Sequence, residues 1–137
     1  MKTQVYPYLN FKDNARQAME FYQSVFGGKL DIATFKEYAD MPQDPADGDK
    51  VMNAMLQADS VAFMAADTPS SMEYTPGNNF AMALSGDNEQ ELRGFWDKLA
   101  EGGTVVMPLD TAPWGDVFGM VVDGFGVQWM VDIAKQS

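Results

Sequence analysis

Two stretches of this 137-residue chain, 74 residues apart, carry the same helix signals in the same order. Asp13-Asn14 aligns with Asp87-Asn88, Phe21-Tyr22 aligns with Phe95-Trp96, and the stretches stop at Gly27-Gly28 and Gly102-Gly103. The interval from aspartate to phenylalanine is eight residues in both. In the first, Ala15, Ala18, Met19, Tyr22, Val25 and Phe26 recur at helical spacing; Leu92, Phe95, Trp96 and Leu99 do so in the second. This spacing predicts helices over Asn14–Phe26 and Asn88–Ala100. Asn14 suits an N-cap with Gln17 as its capping-box partner, and each glycine pair suits a C-terminal stop.

Strand-like runs surround both helices. Val5–Phe11, Leu30–Glu37, Val51–Ala58 and Ser60–Ala66 flank the first, and Phe80–Ser85, Thr104–Leu109, Val117–Val122 and Val127–Ile133 flank the second. Strand–helix–three strands, written twice, predicts an internal duplication. The expected modules span about 1–66 and 79–137 of one domain, with the turn-rich stretch 67–78 as their joint. The fold class is α+β: two βαβββ modules forming a curved, mostly antiparallel sheet, helices on the convex side and a ligand cup on the concave side.

Strand periodicity then selects the residues facing that cup. Tyr6, Tyr8 and Asn10 share one face of the first strand, and Asn53, Met55 and Gln57 share the more polar face of the third. In the last strand Gln128, Met130 and Asp132 alternate with Val127, Trp129 and Val131, and Trp129 is assigned to the core. The more polar faces are assigned to the cup.

Composition removes whole classes of chemistry. The chain has no cysteine and no histidine, so disulfides, thiolate catalysis, Ser-His-Asp triads and histidine-based zinc sites are excluded. No serine stands in a GxSxG elbow. A general base would be Asp, Glu, Lys or Tyr, with Asp132 and Glu73 the nearest candidates. Nine basic against twenty acidic residues leave a net charge of −11, which repels nucleic acid and anionic membranes. With no long apolar run and no signal-peptide core at MKTQVYPYLNF, a cytoplasmic location is expected. The aspartates at 40, 44, 47 and 49 do not fit the EF-hand spacing. The stretch 38–50 reads instead as a solvated loop able to act as a flap. Trp114-Gly115-Asp116 reads as a turn whose indole either stacks on a flat ligand or caps the core between sheet and loop. Eleven methionines suggest a soft, adaptable pocket lining.

The segments PYLNF at Pro7–Phe11, ARQAMEFYQSVFGG at Ala15–Gly28, VMNAML at Val51–Leu56, LAEGGTVVMPL at Leu99–Leu109 and PWGDVFGMVVDGFGVQWMV at Pro113–Val131 resemble the PhnB-like branch of the glyoxalase and bleomycin-resistance, or vicinal oxygen chelate, superfamily. The resemblance spans the chain and implies paired βαβββ modules assembled as a homodimer. Metal-dependent relatives chelate a divalent ion with His and Glu; placed on this chain, those positions fall at about Tyr6, Met64, Ala81 and Met130. None suits Zn²⁺ or Mg²⁺, and Asn53 stands where PhnB-like relatives often carry histidine. No metal and no cofactor are therefore expected. Branch members have been labelled methyltransferases of a quinone precursor, yet the chain has no glycine-rich SAM-binding strand–turn–helix, and βαβββ is not a Rossmann order.

The resulting expectation is a protein holding a small organic molecule, neutral or cationic and partly aromatic, against Tyr6, Tyr8, Asn53, Met55, Met64, Trp114, Gln128 and Met130. The rival is a metal-dependent glyoxalase- or dioxygenase-like enzyme with atypical ligands.

Overall fold

The structure, a computed structural model, describes residues 2–38 and 44–136. It is α+β and contains two βαβββ modules, as expected. The chain divides into two compact units, Met1–Pro76 and Gly77–Ser137, each with one module.

In the first unit β1 (Tyr8–Phe11), α1 (Ala15–Phe26), β2 (Lys29–Thr34), β3 (Val51–Gln57) and β4 (Ala62–Asp67) form a sheet of order β1-β4-β3-β2. β1 runs parallel to β4, while β4–β3 and β3–β2 are antiparallel. α1 packs against β2, β3 and β4. Its Tyr22 is fully buried and meets Phe63 of β4 edge-on at 5.5 Å. Leu9, Phe11, Ala54, Leu56, Phe63 and Ala65 are buried with it. Period-two alternation leaves Tyr8, Asn10, Asn53, Met55, Met64 and Ala66 on the opposite face.

The second unit repeats the plan with β5 (Met82–Gly86), α2 (Glu89–Ala100), β6 (Thr104–Thr111), β7 (Val117–Val122) and β8 (Gln128–Ile133), in the order β5-β8-β7-β6. β5 is parallel to β8, and the other pairings are antiparallel. Trp129, Val131, Ile133 and Val121 are buried on the α2 side with Trp96, Leu92 and Leu99. Trp129 sits in the core as expected, and its indole N–H donates to the buried Asp123 at 2.8 Å. The same carboxylate accepts from the Phe125 and Val127 backbones and so closes the β7–β8 turn.

The glycine pairs are duplicated in their contacts as well as their spacing. Gly28, at φ +87, has no room for a Cβ against the Gln57 carbonyl at the end of β3. Gly103 is crowded in the same way by the Val122 carbonyl at the end of β7. In each module the chain leaving the helix enters the edge strand hard against the end of the neighbouring strand, β3 or β7, and only glycine allows that approach.

Local expectations fail where a distant residue intervenes. Asn14 makes no side-chain cap; the first helical N–H, of Ala15, is taken at 2.9 Å by Asp67 from the end of β4. Asn88 does cap α2, accepting from Glu91 N–H at 3.0 Å. Of each aromatic pair only the second member is buried, Tyr22 and Trp96, because Phe21 and Phe95 lie one residue off the apolar stripe. β1 begins at Tyr8 rather than Val5: Pro7 has no N–H to donate, so the run before it stays outside the strand. β2 ends at Thr34, where the chain turns into a 3₁₀ segment, Phe35–Glu37, closed by the Glu37 carboxylate on the Thr34 N–H at 3.0 Å.

Candidate ligand-binding faces

On the first sheet, register brings four of the expected site residues together. Tyr8 is the β-partner of Met64, and Met64 of Met55; Asn53 lies two residues along β3 on the same side. Asn53 Oδ1 is buried and has no hydrogen-bond partner among the described residues. An unsatisfied buried amide oxygen costs about 1–3 kcal/mol, so this face carries an acceptor in need of a donor. Tyr8 is 47% exposed, and partial burial pushes its phenol above the usual 10.0, which keeps it neutral as donor and acceptor. Tyr6 does not join them as a strand residue. It precedes β1 in the irregular stretch that Pro7 imposes and is 36% exposed.

Next to this row opens a cavity of about 500 Å³. Tyr8, Asn10 and Ala66 contribute from the strands, Met52 and Phe35 from the β2–β3 side, and Met72, Glu73 and Tyr74 from the segment after β4. The register shift opposite Ala33 and Thr34 explains Met52: the extra β3 residue of a bulge turns its side chain out of strict alternation. The stretch 67–78, expected only as a joint, thus supplies a cavity wall. Ser70 pins it, its N–H and hydroxyl both donating to Asp47 Oδ2 at 3.0 and 2.8 Å.

Asp47 corrects the solvated-loop expectation. It is 1% exposed, and Lys50 Nζ lies 2.9 Å from its Oδ1 and 3.1 Å from Asp13. The Lys50 ammonium, with help from Ser70, holds the Asp47 carboxyl below its usual range. A buried, ion-paired aspartate makes residues 44–50 an anchored support for the cavity wall. Asp40 and the rest of 39–43 lie outside the described residues.

The second sheet carries Gln128 and Met130 on the face opposite α2, with Met130 in register with Met120 and Ala83. Gln128 Nε2 donates to the Phe80 carbonyl at 3.1 Å. Trp114 is 62% exposed in the β6–β7 turn, where it meets Phe118 edge-on at 5.7 Å. These two rings, with Met107, Pro108, Pro113 and the Asp110 carboxylate, line a cavity of about 360 Å³. Asp132, two residues beyond Met130, is held above the usual carboxylate range by burial first and then by the neighbouring Asp116 carboxyl. Ser85 Oγ approaches it at a long 3.5 Å.

The divalent-metal positions implied by family resemblance do not fit such an ion. Tyr6 and Ala81 lie outside the strands, Met64 and Met130 offer thioethers, and the described residues contain no cluster of three His, Cys, Asp or Glu side chains able to hold a metal.

Residues 3–132 match the family described as 3-demethylubiquinone-9 3-methyltransferase. The chain belongs to this PhnB-like family. The crystal structure of protein PA1353 from Pseudomonas aeruginosa is 36% identical to it, covering 98% of this chain and 100% of that one, with a TM-score of 0.85. A PhnB protein from Bacillus cereus is 26% identical over 96% and 100% of the two chains, with a TM-score of 0.77. A glyoxalase-related enzyme from Fulvimarina pelagi shares the fold at 20% identity, with 98% and 89% covered and a TM-score of 0.61. The PhnB-like chain therefore has the paired βαβββ architecture of the glyoxalase and bleomycin-resistance superfamily. No described helix is long and apolar enough to cross a membrane.

Proposed function

We propose that this PhnB-like chain binds a small, neutral or cationic, partly aromatic molecule on the sheet faces opposite its helices, without a divalent metal. The observation that carries the reading is Asn53 Oδ1, a buried acceptor without a donor among the described residues, two residues along β3 from Met55 and on the same face as the row of Tyr8, Met64 and Met55. A ligand N–H or O–H satisfies it. Met55 and Met64 supply a surface that repacks around different shapes. In the second unit, taken by itself, the exposed Trp114 ring offers a stacking plane of its own. The net charge of −11 favours a cation over an anion and opposes nucleic acid as a partner. A homodimer, which the family resemblance implies, and a cytoplasmic location complete the reading. The methyltransferase description of the family gains no support from the topology, since a mixed β1-β4-β3-β2 sheet is not the doubly wound parallel sheet of a nucleotide-type cofactor site.

The test uses proflavine, a flat aromatic cation, followed by its fluorescence polarisation. Saturable binding is expected, with no competition from the anion anilinonaphthalene sulfonate. Asn53→Leu should weaken binding without lowering stability, because Oδ1 has no partner among the described residues to lose. Absence of saturable binding, or binding indifferent to both Asn53→Leu and Trp114→Ala, overturns the reading.

One observation favours acid–base catalysis as a second reading: the Asp132 carboxyl raised by burial and by Asp116. Carbon-detected NMR titration of Asp132 tests it. A carboxyl that titrates at the ordinary 3.8 removes that support.

A further inference from the structure

Met64 and Met130 occupy two of the positions where the family resemblance places oxygen or nitrogen ligands for a divalent ion. The mismatch is systematic, because in each module the central strands pair a methionine with a methionine: Met55 with Met64, and Met120 with Met130. In the second module the row gains a third member, as Met107 of β6 is the register partner of Met120. Met107, Met120 and Met130 therefore stand side by side on three adjacent strands, and direct partners point to the same face, here the one opposite α2.

We propose that Met107, Met120 and Met130 form a thioether site for a soft monovalent cation with the chemistry of copper(I). Adjacent strands lie about 4.8 Å apart, so the outer two side chains, each with three rotatable bonds, can turn their sulfurs over the middle one. Two register shifts flank Met107, between Val105 and Met107 and between Met107 and Asp110; such irregularities twist a strand and re-aim its side chains. Met120 and Met130 are half-buried and Met107 is 46% exposed, which leaves an entry route. Asp132, on the Met130 face of β8, and Asp110, on the Met107 side, add negative charge nearby, and the chain as a whole attracts cations. Thioethers select soft ions such as copper(I) and bind zinc, manganese and magnesium poorly. The ion differs in class from the divalent metal of the superfamily and from the organic ligand proposed above, so failure of one reading leaves the other intact.

Silver(I), an air-stable probe of the same chemistry, tests the site on the full chain. Native mass spectrometry should show one silver per chain, and the methyl resonances of Met107, Met120 and Met130 should shift together in a methyl-labelled NMR spectrum. Met120→Leu conserves volume and should retain the fold, checked by circular dichroism, while silver affinity falls about tenfold or more. A chromophoric copper(I) chelator should report the same ranking. No bound silver, methyl shifts confined to other methionines, or undiminished binding by Met120→Leu each overturns the proposal.

Discussion

Removing the Asp67 carboxylate should unfasten the first module at two places at once. The side chain is 5% exposed, and its oxygens accept from Ala15 N–H at the start of α1 and from Val51 N–H at the start of β3, both at 2.9 Å. A hydrogen bond to a charged group contributes about 1.5–3 kcal/mol, and a buried donor left unpaired costs about 1–3 kcal/mol. These overlap rather than add, because the unpaired donor is part of what truncation exposes. Asp67→Ala should therefore cost about 3–5 kcal/mol, a large share of the roughly 5–15 kcal/mol that holds a domain together. Asp67→Asn keeps one acceptor but turns an amide N–H₂ toward the other donor, so about half that loss is expected, about 1.5–2.5 kcal/mol. Urea unfolding with hydrogen exchange reads the effect, and exchange should accelerate in α1 and β3 before α2. A loss below about 1 kcal/mol for Asp67→Ala, or protection lost equally in both helices, refutes the view that this carboxylate bridges helix and sheet.

Asn88→Ala should cost about 1 kcal/mol through the lost cap on Glu91 N–H, whereas Asn14→Ala should cost a few tenths at most, and thermal melts of the pair decide it. Gly119→Ala forces a Cβ to within 2.8 Å of Leu109 Cα and of the Trp96 ring, so about 1–3 kcal/mol of destabilisation is expected, read as a lower urea midpoint. Because the Asp132 carboxyl is raised, its protonated form is favoured by folding; its ionisation costs stability above the raised value, and that cost disappears as pH falls toward 3.8. Asp132→Asn should thus match or exceed the native chain in urea at pH 7, with the difference shrinking toward pH 4. An advantage that grows on acidification contradicts the assignment.

The duplicated helices were legible because each carries its own information: a 3.6-residue apolar stripe and a glycine pair, both local. The stops follow from contact as well as conformation, since Gly28 and Gly103 each lie against a carbonyl at the end of the neighbouring strand, β3 or β7. Pairing was not legible. Nothing in Tyr8–Phe11 announces a parallel partner more than fifty residues away, and the α1 cap passed from Asn14 to Asp67 because a buried carboxylate outcompetes a local amide. The strand faces carrying Tyr8, Asn53, Met55, Met64, Gln128 and Met130 follow from simple alternation. Tyr6 fell outside that rule once Pro7 delayed the strand. The cavity wall after β4 was hidden by its own composition. Its prolines and serines are those of any linker, and only the Ser70–Asp47 hydrogen bonds, spanning 23 residues, turn it into structure.

On this reading the sheet faces hold an organic molecule without a divalent metal. Native mass spectrometry of the full chain, purified without chelator and without a metal-affinity resin, tests it most directly, because one spectrum reads subunit number and every retained mass. The expected spectrum is a dimer free of zinc, manganese and magnesium, with a retained or added organic cation at one per chain. One divalent ion per chain, held through dilution and required for any organic mass to remain, would contradict it.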